Sequence, residues 1–161
     1  MSARSDVFTP AAPPNWIKWT ITTLVLAVIA FLANPSGPLG SFWRPSPDIM
    51  LPTGAQLLLF ILLTVAEAIA FGLGISFLIF GFPVVRHVLP RSKGLAFAAY
   101  LSIALLLANW WPHDSLHVAN GMNIGGLLAI EYVFHVTLMA AGVILALFFF
   151  AVVRRQAAGT Q

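Results

Sequence analysis

Four long apolar runs constrain this chain more than any other feature of its sequence. They cover residues 16–33, 54–80, 94–110 and 124–153. Each reaches or exceeds the roughly 17 residues a helix needs to cross a hydrocarbon core of about 30 Å. In lipid every backbone N–H and C=O must be satisfied internally, so runs of this length predict helices. Asn34-Pro35-Ser36-Gly37-Pro38 closes the first run, Gly81-Phe82-Pro83 the second and Trp111-Pro112 the third. As helices the second and fourth would measure about 40 and 45 Å, which predicts tilt or projection into an interface.

The remaining composition narrows the class. Of 161 residues, 60% are hydrophobic and only 8% charged, with a mean hydropathy of +0.93. Soluble domains carry about 25% charged residues. An ordinary soluble globule, a disordered chain and a nucleic-acid binder are excluded. The expected fold is all-α: an integral membrane four-helix transmembrane bundle, one domain over residues 1–161 with tails 1–15 and 154–161. The first run reads as an uncleaved helix, because it exceeds a typical signal-peptide core and follows Pro10, Pro13 and Pro14. The chain has no cysteine. That excludes disulfides, iron–sulfur clusters, thiolate zinc sites and covalently attached haem.

The basic residues are distributed unevenly. Arg4 and Lys18 precede or open the first run, Arg86, Arg91 and Lys93 lie between the second and third, and Arg154 and Arg155 follow the fourth. Only Arg44 falls on the other side. The positive-inside rule then predicts cytoplasmic N- and C-termini in a plasma or inner membrane. Trp16 and Trp19 mark the inner boundary, and Trp43, Trp110 and Trp111 the outer one. Residues 34–53, with Pro35, Pro38, Pro45, Pro47 and Pro52, predict an extended outer cover without regular structure. Pro112 and Gly121 predict a short interfacial helix between the third and fourth spans, with His87 placed in a solvated basic loop.

Polar groups within the apolar runs are costly and therefore informative. Glu67 sits in the middle of the second run. Glu131 and His135 lie four apart on the fourth, hence on one helical face, and Met139 continues that stripe. Residue counting places His135 near the midplane, at about the depth of Glu67. Ala66, Ala70 and Gly74 recur every four residues and offer a close-packing surface beside Glu67. His113 and His117 are also four apart, flanking Asp114, and would point to one side of the outer helix.

Each of these groups also has a plain structural role available, as an interhelical hydrogen bond or an interfacial residue. Their conjunction suggests a site. Imidazoles and carboxylates are ligands for iron, zinc or copper, and a methionine would favour copper. The expected ligands are His113, His117, Glu131 and His135, with Glu67 as inner ligand or proton relay and Asp114 and Met139 as accessories. Haem b would need a second histidine at matched depth, from the outer segment or another chain. No phosphate-binding Gly loop, nucleophile elbow or zinc-protease motif is present, so no enzyme class is indicated. Three functions follow: an outward-facing metal or haem site for redox chemistry or metal handling, a proton-coupled carrier or relay subunit of a respiratory-type complex, and a non-catalytic assembly subunit. The expected partners are the lipid bilayer and other membrane subunits or further copies of the chain.

Overall fold

A computed structural model describes residues 15–50 and 52–159, and within them the secondary structure is helical, without strands. Six α-helices follow in chain order: α1 (Trp16–Leu32), α2 (Ala55–Phe80), α3 (Phe82–Val88), α4 (Lys93–Ala108), α5 (Trp110–Asn120) and α6 (Ile124–Gly159). Individually, α2 and α6 are long and apolar enough to cross a membrane. The pair α4 and α5 forms a third candidate span, bent by 47° at its break. α1 is a shorter apolar helix of 17 residues.

Local chemistry explains the boundaries. Asn15 opens α1 by accepting a hydrogen bond from the Lys18 backbone N–H through its side chain. After Leu32 the chain turns sharply, with Leu39 N–H donating to the Leu32 carbonyl. Gly54, at φ 56°, precedes α2 in a conformation that favours glycine. Pro83 at the start of α3 cannot donate to the preceding turn, and α2 stops at Phe80.

Several expectations are corrected. The proline-rich segment is not wholly irregular, because Gly40–Trp43 forms a 3-10 turn. Its Trp43 Nε1 donates to the Ala33 carbonyl at 2.8 Å and its ring meets Trp111, anchoring the segment across two helices. His87 lies on α3. The helix expected from Pro112 begins at Trp110, directly after α4, from which it is bent by 47°. The fourth helix runs past residue 153 and carries Arg154 and Arg155 with it.

The helices pack in series, α1 on α2, α2 on α4 and α4 on α6. Gly72 makes the first contact possible: a Cβ there would strike the Thr23 carbonyl and the Ala27 backbone nitrogen. Thr23 Oγ1 donates to Ser76 Oγ at 3.0 Å in the same contact. Gly74 does the same for α2 on α4, where a Cβ would lie 2.6 Å from the Ala108 backbone nitrogen. Of the anticipated Ala66, Ala70 and Gly74 stripe, Gly74 is buried in this contact, whereas Ala66 is exposed. At the end bearing the basic residues, Val85, Leu89, Ala96, Ala99, Tyr100 and Phe148 form the main apolar core. Tyr100 donates to the Leu78 carbonyl there, and Arg155 to the Val88 carbonyl.

α5 positions the candidate site. It touches α2 on one side and α6 on the other, and it meets the 3-10 turn. Polar residues from three helices therefore come to one level.

Candidate metal centre

The bend between α4 and α5 directs His113 into the molecule, where it is 8% exposed. Burial of an imidazole requires partners. Its Nδ1 is 2.8 Å from Asp114 Oδ1, so the carboxylate accepts the Nδ1–H and the Nε2 lone pair is turned away from it. One turn along α5, His117 brings its Nε2 to 3.2 Å from His113 Nε2. From α6, Glu131 places Oε1 3.5 Å from His117 Nε2, and its Oε2 lies 2.5 Å from His135 Nδ1. The His113 and His135 rings are 5.4 Å apart between centroids.

Among the described residues, His113, Glu131 and His135 form a group able to hold a metal ion, one ligand atom from each lying within 4.8 Å of the others. A tetrahedral zinc site with bonds of ~2.0–2.1 Å has ligand–ligand edges of about 3.4 Å. His117, outside that group, makes two separations near that value, 3.2 Å to His113 and 3.5 Å to Glu131. The Glu131–His135 separation of 2.5 Å is instead that of a strong hydrogen bond, which an arriving cation would replace. The donors are nitrogen and carboxylate oxygen, a set that suits zinc, iron or copper(II).

Glu67 belongs to the same layer without being one of this group. It is 8% exposed on α2 and lines a cavity with Asp114 and His117. Asp114, which meets His113, lies between Glu67 and the cluster, so polar groups of α2, α5 and α6 share one region. Glu67 is grouped with Asp114 and His117 in one cavity, and His135 with His113 and Glu131 in the cluster. The layer is level with the end of α1, whose following residues Asn34 and Pro35 line a cavity with Glu67, Asp114 and His117. It therefore lies beside the start of the proline-rich segment.

Met139 is 63% exposed, a turn beyond His135. His113 is further enclosed by aromatic contacts to Phe134 and Trp110, with centroids at 5.2 and 6.1 Å. Sequence reasoning missed Thr64 and Asn34, both buried polar residues beside Glu67. Thr64 carried a usable signal, since it lies three residues before Glu67 on the same side of α2.

All-helical architecture, helices apolar enough to span a membrane and a His/Glu/His group at one level define the class that fold and geometry support. Comparison with protein-family models, curated proteins and solved structures gave no match for this chain.

Proposed function

We propose that this chain is a polytopic membrane protein that binds one divalent transition-metal ion near its outer face, for metal handling or membrane redox chemistry. The observation that carries the reading is the convergence of His113, Glu131 and His135 from two helices, their ligand atoms within 4.8 Å. His117, one turn further along α5 and 3.2 Å from His113, is the fourth donor in this reading. Asp114 supports the assignment, because a carboxylate on Nδ1 fixes the tautomer of a ligating histidine and raises its basicity. In this reading α1, α2, α4 with α5, and α6 make four spans, the basic end faces the cytoplasm and the proline-rich end covers the site.

The experiment is elemental analysis of the purified full chain. Wild-type protein should carry close to one equivalent of zinc, iron or copper, His113→Ala should lose most of it, and His87→Ala should retain it. Metal-free wild-type protein that also fails to take up added zinc would end the reading.

A second reading rests on the proximity of the same groups. A polar series from Glu67 to His135 has the parts of a proton relay, as intramembrane acids and histidines provide in carriers. It predicts no bound metal, and proton uptake in vesicles that Glu67→Gln abolishes.

A further inference from the structure

A cavity of about 300 Å³ lies on the α2 side of the His/Glu cluster. Its polar walls are Asn34, Thr64, Glu67, Asp114 and His117. Three of these, Asn34, Thr64 and Glu67, are more than nine-tenths buried. Burying so much polarity is costly unless each group has a partner. Asn34 uses its side-chain oxygen to accept from the Ser36 N–H. Thr64 is 7% exposed. It lines the cavity beside Glu67.

A second cavity adjoins it. At about 600 Å³ it lies under the proline-rich segment, is lined by Ser36, Pro45, Ser46 and Ile49, and shares Pro35, Phe60 and Val118 with the first. On the opposite side, His117 belongs both to the smaller cavity and to the cluster, its Nε2 being 3.2 Å from His113 Nε2.

We propose that this cavity is a loading site for a divalent metal cation, in which Glu67, Asp114 and Thr64 receive the ion from the proline-rich face and pass it through His117 to the cluster. The proposal rests on the metal-centre reading and adds a second site and a direction to it. The chemistry has the right order. Carboxylates and a hydroxyl offer hard oxygen donors that hold a hydrated cation loosely, whereas imidazole nitrogens bind zinc, iron and copper more firmly. An ion entering from the oxygen-lined side therefore moves downhill towards the nitrogen-rich side. Asp114 is placed for the transfer, since it lines the cavity with Glu67 and meets His113.

The test follows the loading of cobalt(II), which reports a nitrogen-rich site by its visible absorption, into metal-free full-length protein in detergent micelles. Glu67→Gln should reach the wild-type stoichiometry and final spectrum, but load roughly tenfold more slowly. Thr64→Val keeps the side-chain shape, should slow loading severalfold, and carries the test if the Gln variant does not elute as a folded species. Loading of both variants within about twofold of wild type would overturn the route while leaving the metal centre standing. A Glu67→Gln variant with lower cobalt stoichiometry would also overturn it, by making Glu67 a ligand of the cluster itself. If wild-type protein takes up no cobalt at all, the metal-centre reading fails first and the loading site falls with it.

Discussion

Asp114 meets His113 Nδ1 at 2.8 Å and lines a cavity with Glu67, and so stands between α2 and the candidate site. A residue in that place controls the orientation of a ligand without being one. Asp114→Asn preserves its size but weakens the pull on Nδ1–H. The account expects metal affinity to fall by about 10–100-fold, as it does when such partners are changed in metal sites, with the ligand spectrum unaltered. Competition against a chelator measures this, and unchanged affinity would show that Asp114 serves only to join the helices. Much at this scale was legible in the sequence. Glu131–His135 and His113–His117 are pairs at helical spacing, and their shared faces follow from geometry alone. What residue counting lacked was a third dimension. Met139 continues the His135 stripe by number, yet it sits in the exposed part of α6, outside the cluster. Thr64 was passed over because its significance depends on Asn34, thirty positions away on the other side of a turn.

At the scale of elements, proline and glycine gave the breaks, and the helix boundaries follow them closely. The bend at Asn109 was harder to read. Trp110-Trp111-Pro112 looks like the end of a span, but a proline near the start of a helix has no lost hydrogen bond to pay for, so the chain turns by 47° and continues. That turn brings His113 inward, and without it no site would exist. Helix contact likewise depends on glycines that the regular Ala66–Ala70–Gly74 pattern only half identified, since Gly72 faces α1 and Gly74 faces α4. Gly72→Val should therefore destabilise the protein by about 1–3 kcal/mol through overpacking at α1. Gly142→Val is the comparison, because nothing lies within 4 Å of a Cβ at that position of α6, and it should be near neutral. Unfolding in mixed micelles with increasing anionic detergent compares the two, and equal losses would contradict the packing described.

The whole molecule is a series of helices with chemically different ends. Lys18, Arg86, Arg91, Lys93, Arg154 and Arg155 gather at one end, with Arg155 donating to the Val88 carbonyl across 67 positions of sequence. Arg44 stands at the other, beside the Trp43–Trp111 contact. A cysteine-free chain allows this polarity to be tested by labelling. Ser46→Cys, under the proline-rich segment, should react with an impermeant thiol reagent added outside intact cells, and Ser92→Cys should react only after the membrane is opened. The reverse pattern would invert the orientation and place the metal centre on the cytoplasmic side. Composition alone made the helical membrane class legible, because nothing else accommodates such apolar length. It was silent on the order of packing, which is decided by small residues and by one bend. The most direct test of the central claim is X-ray absorption spectroscopy at the zinc edge on protein loaded with one equivalent. The account predicts a first shell of nitrogen and oxygen at about 2.0–2.1 Å with outer scattering from at least two imidazoles, reduced by one in His135→Ala. A shell without imidazole scattering, or one identical in wild type and His135→Ala, would contradict it.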